Sequence, residues 1–117
     1  MTNAIRGEIE ARLDGKTYTL CLTLGALAEL EGSMGANDLV ALAQRFEAGR
    51  LSSRDILRII GCGLRGAGHA FTDDEVSRMK ASGGFAAYVQ IAAELLAATF
   101  GDPPEAHDAN PRSPQDA

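Results

Sequence analysis

Six consecutive residues, Gly61-Cys62-Gly63-Leu64-Arg65-Gly66, spell G-x-G-x-x-G, the spacing with which a glycine-rich turn cradles a dinucleotide pyrophosphate. That chemistry needs a strand before the first glycine, a helix after the last, and a carboxylate about 20 residues on to hold the ribose. Here a capped helical pattern precedes the glycines, and Gly84, Phe85, Ala86, Ala87 and Tyr88 occupy the positions where the carboxylate should stand. No nucleotide cofactor is expected.

The other reactive side chains fare similarly. Cys62 and His69 would share a helical face at i, i+7, but their separation of roughly 10 Å along the axis is too long for a thiolate–imidazole pair. Cys62 is expected to pack as a small hydrophobe. Cys21 and Cys62 form no C-x-x-C motif, and with His69 and His107 they match no zinc-ligand spacing. Glu8 and Glu10 sit two apart on an alternating segment, which suits the solvated face of a strand better than an acid/base pair. Asp73, Asp74 and Glu75 follow Thr72, so a first helical turn accounts for them, and the glycine turn and later ligands of a calcium loop are missing. The residues point to no enzyme, no metal and no cofactor.

The elements around these residues are legible. Leu51 to Gly68 carries the densest run of large apolar residues. Ser52 with Asp55 makes a capping-box pattern, and Ile56, Leu57, Ile59, Ile60 and Leu64 give a broad apolar face, with Arg54, Arg58 and Arg65 largely outside it. Gly61, Gly63, Gly66 and Gly68 each cost a helix about 1 kcal/mol relative to alanine, so they call for a close-packed neighbour or a helix end near Gly66.

Earlier in the chain, Glu8 to Leu13 and Lys16 to Leu22 alternate polar and apolar around Asp14-Gly15, a hairpin signature. A two-residue turn pairs Leu13 with Lys16, Ala11 with Tyr18 and Ile9 with Leu20, which gathers the apolar side chains on one face. Thr23 caps a helix with a Leu24, Leu27, Leu30 and Met34 stripe and a stop at Gly35. Asn37 or Asp38 caps a short helix through Leu39, Leu42, Ala43 and Phe46 that ends before Gly49. Thr72 and Glu75 repeat the capping box, with Val76 and Met79 facing the core. After Ser82-Gly83-Gly84 comes a last helix marked by Phe85, Tyr88, Val89, Ala92, Leu95, Leu96 and Phe100.

The expected fold is α+β, mainly α: an N-terminal β-hairpin on a bundle of about five short helices. Residues 1–101 form one domain, and residues 102–117, with four prolines and no large apolar residue, form a disordered tail. A net charge of −5 argues against phosphate-backbone and anionic-membrane partners, and also against a helix-turn-helix regulator, which needs a basic recognition helix. No apolar run reaches the roughly 20 residues that span a bilayer, and the first residues lack the apolar centre of a secretion signal. A cytoplasmic protein is expected.

Taken in order, DGKTYTLCLTLGALAELE, FEAGRLSSRDILRII, GLRGAGHAFTDDEV and the terminal LLAATFG resemble a small phage-derived family, the gene transfer agent family proteins, labelled tail tube proteins or tail assembly chaperones. The resemblance covers about residues 7 to 101 and brings no active-site residues. It implies a role in building a phage-like tail: a chaperone that holds the helical tape-measure protein soluble while tube subunits assemble, or a structural part of the tail itself. The implied partners are the tape-measure protein, the tail tube protein and further copies of this chain. A chaperone would be absent from the mature particle. It needs an apolar groove with a polar rim, and the candidate groove is the Leu24 to Met34 helix beside the hairpin. Leu27, Leu30 and Glu31 are its candidate partner contacts, and Arg65 and His69 stand at the rim.

Overall fold

A computed structural model describes residues 7–33 and 39–101. Two strands, β1 (Glu8–Leu13) and β2 (Lys16–Cys21), are followed by five helices: α1 (Leu24–Ser33), α2 (Leu39–Glu47), α3 (Ser53–Gly66), α4 (Asp73–Ser77) and α5 (Phe85–Phe100). The strands pair antiparallel in the register the alternation dictates, with Ile9 opposite Leu20, Ala11 opposite Tyr18 and Leu13 opposite Lys16. Asp14 and Gly15 turn the chain with φ of +54° and +77°. Both angles lie in the left-handed region, as a type I′ hairpin turn requires. Ile9, Ala11, Leu13 and Leu20 are buried beneath the sheet.

Helix α3 is the element on which the others pack: β2, α1, α4 and α5 all lie against it. It opens with the expected capping box, in which Ser52 Oγ accepts from the Asp55 N–H at 3.0 Å and Asp55 Oδ2 accepts from the Ser52 N–H at 3.0 Å. Such a cap contributes about 1 kcal/mol. Asp55 is itself buried, and Arg45 of α2 closes on it with Nε 3.3 Å from Oδ2. Ile56, Ile59, Ile60, Cys62 and Leu64 are buried along the helix. Full burial of an isoleucine or leucine side chain stabilises the fold by about 1.5–3 kcal/mol.

The glycines of α3 have the neighbours they require. A Cβ on Gly66 would collide with the carbonyl oxygen of Cys21 in β2, and would stand 3.1 Å from Ala26 Cβ in α1. On Gly63 it would meet Leu95 Cδ2 of α5 at 2.5 Å and Leu20 of β2 at 3.3 Å. On Gly61 it would run into the Asp73 carboxylate of α4. Three glycines on one helix therefore admit the hairpin, α1, α5 and α4 to contact distance.

Two sets of hydrogen bonds tie the rest together. The Asp14 N–H donates to the Lys80 carbonyl at 2.8 Å and Asp14 Oδ1 accepts from the Lys80 N–H at 2.9 Å, which fastens the hairpin turn to the α4–α5 connection. Tyr88 Oη donates to the Met79 carbonyl at 2.7 Å and accepts from the Ala81 N–H at 3.1 Å in that same connection. Helix α4 carries the second capping box, between Thr72 and Glu75, and Val76 and Met79 are buried as their spacing indicates.

Two apolar stripes depart from the sequence expectation. In α1, Thr23 Oγ1 caps the Ala26 N–H at 3.1 Å, but the buried residues are Ala26 and Leu30, whereas Leu24 is 84% exposed. The reason is Gly66, which lets Ala26 approach α3 and turns the leucine at the helix start outward. In α5 the buried set is Ile91, Ala92, Leu95 and Leu96, while Phe85, Val89 and Phe100 are exposed. This helix of about 24 Å overhangs the core at both ends, so its terminal aromatics project beyond it. Helix α2 buries Leu42 and stops at Gly49, whose φ is +68°. Met34, Gly35, the Asn37 or Asp38 cap and the C-terminal segment 102–117 lie outside the described residues.

These contacts rank two substitutions. Gly66→Ala gains about 1 kcal/mol in helix propensity but drives a methyl into backbone, and overpacking of that kind costs about 1–3 kcal/mol. Gly63→Ala meets side chains only: the tip of Leu95 at 2.5 Å, which can rotate away, and Leu20 Cβ and Cδ2 at 3.3 Å, which need give only slightly. Urea unfolding should show Gly66→Ala as the more destabilised of the two; equal midpoints would mean that β2 gives way freely.

Candidate functional site

Arg65, one of the residues singled out by sequence, is the centre of a polar cluster at the C-terminal end of α3. Its Nη2 lies 2.7 Å from Glu29 Oε2 of α1, and its Nη1 lies 3.0 Å from Asp73 Oδ1 of α4 and donates to the Phe71 carbonyl at 2.8 Å. Burial opposes the charged guanidinium, but hydrogen bonding to Glu29 and the contact with Asp73 outweigh it and raise the Arg65 pKa further above its already high value. Cys62 Sγ sits 3.6 Å from Arg65 Nη2. Burial first, and the Glu29 carboxylate second, push the thiol up to about 11, although Arg65 acts in the opposite sense. A fully buried thiol held protonated is a poor nucleophile, and the Arg65 contacts beside it join α1 and α4 to α3.

His69 lies beside it. Its ring meets Tyr18 edge-on at 5.2 Å between centroids and stacks near Phe71 at 6.3 Å, and Tyr18 meets Phe71 edge-on at 5.6 Å. Arg65 and His69 are therefore neighbours, joined through Phe71, and both serve to close the turn between α3 and α4. Leu30 is fully buried, with its side chain in the core cluster. Leu27 is half-buried against the same core, and Glu31 is half-buried on α1. Beside the hairpin, α1 packs directly on α3.

The concave apolar surface lies elsewhere. A groove of about 570 Å³ runs between the first half of α3, α4 and the start of α5. Leu13, Ile56, Ile60, Val76 and Met79 form its buried floor. Leu57, Arg54, Arg58 and Phe85 stand along its lip, with Phe85 58% exposed. None of Leu27, Leu30, Glu31, Arg65 and His69 lines it. Sequence reasoning passed over this groove because Leu57 and Phe85 fit apolar helical stripes and so read as core. The available signal was the Arg54 and Arg58 pair, four residues apart and flanking Leu57 on a helix otherwise rich in isoleucine. Among the described residues, no group of three or more His, Cys, Asp or Glu side chains is placed to hold a metal ion.

The Cys62 environment carries a pH dependence of definite sign. A thiol whose pKa is higher folded than unfolded contributes stability that is intact below the ordinary thiol value of about 8.5 and is lost as pH rises toward about 11. Thermal unfolding should therefore fall off in that alkaline window, and Cys62→Ala should flatten the fall relative to its own value at pH 7. At pH 8 a thiol reagent should modify half-buried Cys21 but reach Cys62 only in denaturant; rapid double modification of the folded protein would contradict the packing.

Comparison with known proteins is consistent with the resemblance read from the segments. A family model described as phage tail tube protein, GTA-gp10, matches residues 6–102. No curated protein and no solved structure matches. Among the described residues no helix is long and apolar enough to cross a membrane. The match takes in the hairpin and all five helices, and the chain belongs to the phage tail tube protein, GTA-gp10, family of gene transfer agent tail proteins.

Proposed function

We propose that this tail protein acts, without enzymatic chemistry, as an assembly chaperone that holds the helical tape-measure protein during tail building. The observation that carries the reading is the apolar groove between α3, α4 and α5, open along a lip that includes exposed Phe85. An amphipathic helix docks by burying its stripe in such a groove, and a tape-measure protein offers a long helix. On this reading the protein works in the cytoplasm of the producing bacterium and leaves before the particle is complete.

A second reading, a structural component of the tail tube, is favoured by the family's own description. It requires a subunit interface repeated around a ring. Tubes generally close a continuous sheet around their bore, and among the described residues the sheet has two strands. That makes the hairpin a small contribution to such a wall, and it is why the chaperone reading is preferred.

Co-expression with the tape-measure protein of the same gene cluster, followed by affinity purification, separates the two. Recovery of a soluble complex, with the tape-measure protein insoluble when made alone, is the expected outcome. Failure to associate, together with presence of this chain in purified particles, would replace the chaperone role with the structural one.

A further inference from the structure

Arg54 and Arg58 stand one helical turn apart on α3, both at the lip of the groove. Like charges at i, i+4 repel when nothing compensates them. Among the described residues neither arginine makes an ion pair, although carboxylates stand near. The acids of α4 are each engaged: Asp73 with Arg65, Asp74 with Arg78 at 2.6 Å, and Glu75 with the Thr72 N–H at 2.9 Å. The groove thus combines an apolar floor with two guanidinium groups unpaired among the described residues and a lining carboxylate, Asp73, that Arg65 already engages, in a chain whose net charge is −5.

From this juxtaposition we propose that the groove receives an amphipathic helix of a partner protein that carries carboxylates beside its apolar stripe. Arg54 and Arg58 are the residues that select it. Four residues of helix rise about 6 Å, so glutamates or aspartates at i, i+4 on the incoming helix match the spacing of the two arginines. Guanidinium groups suit this task because they pair with carboxylates in a forked geometry. The overall negative charge does not defeat the pairing, since at physiological salt charges beyond about 8 Å are largely screened and the local pair governs. Leu57 and Phe85 supply the apolar contacts on either wall. This inference rests on the chaperone reading for the identity of the partner, but its chemistry is testable without it.

The probe is a pair of fluorescein-labelled helical peptides of about 18 residues, sharing one leucine stripe and differing only in having glutamates or lysines beside it. Titrated with the full chain and followed by anisotropy, the glutamate peptide should bind about tenfold more tightly than the lysine peptide, and added salt should narrow the gap. The double variant R54E/R58E should invert the preference. Arg54 occupies the first turn of α3, where a carboxylate favours the helix, so the variant should fold; Arg58→Gln, which removes charge without reversing it, should lower the preference to an intermediate value. Phe85→Ser should weaken both peptides. Equal binding of the two peptides, no binding of either, or a preference unchanged by R54E/R58E would overturn the proposal. So would concentration-dependent self-association in sedimentation that R54E/R58E abolishes, because the occupant would then be a second copy. If the tape-measure protein is captured equally by wild type and R54E/R58E, the groove assignment fails while the chaperone reading stands. If the peptides obey the charge rule but the tape-measure protein is not captured, the chaperone reading fails and the groove stands.

Discussion

Close approach along one helix is the constraint on which this structure depends. Gly61, Gly63 and Gly66 remove side chains from α3 where the Asp73 carboxylate, Leu95 with Leu20, and the Cys21 carbonyl come nearest. In isolation those glycines weaken the helix, each by about 1 kcal/mol. The cost is offset because their absence of bulk lets Leu20, Leu95 and Ala26 reach full or nearly full burial, and buried apolar side chains contribute more than propensity does. The run that formally matches a nucleotide-binding fingerprint is thus a packing surface. Its glycines face protein where a pyrophosphate would otherwise be cradled.

The same close approach makes the polar cluster around Arg65. Once α1 and α4 are drawn onto the end of α3, Glu29 and Asp73 fall on either side of the guanidinium, and the Phe71 carbonyl takes a third contact. A partly buried charge shared among three acceptors is directional in a way that apolar packing is not. It fixes how α1 and α4 sit around α3, while the Tyr18, His69 and Phe71 rings fill the turn beside it. At the opposite end of α3, Asp55 combines a helix cap with an ion pair to Arg45 and holds α2. Both ends of the central helix are anchored by charge, and its middle by apolar contact.

What is left over is as informative as what is used. Helix α5 is longer than the core it covers, so Phe85 extends over the edge of the fold, and the short α4 does not close the space beneath it. The resulting groove follows from a mismatch of element lengths. In this member of a phage tail family, a two-stranded sheet among the described residues and an apolar groove are the two features on which the proposed role rests.

Local features were legible in the sequence because neighbouring residues decide them. Two capping boxes, the Asp14-Gly15 turn, the hairpin register and the stop at Gly49 each depend on residues a few positions apart, and each is found where its pattern stands. The family was legible too, from the order of those segments. Which face of a helix is buried was a different matter. Leu24 is the more apolar of the two and stands only two residues from Ala26, yet the space opened by Gly66, forty residues beyond Ala26, decides that Ala26 goes in and Leu24 comes out. Leu30 and Phe85 both sat on apolar stripes, yet one is sealed in the core and the other stands at a groove, because burial depends on what lies opposite in space. The sequence by itself determined the elements and those boundaries set by caps and turns of short range; the tertiary structure alone decided which helical faces are buried and where the groove opens, through contacts between residues far apart in the chain.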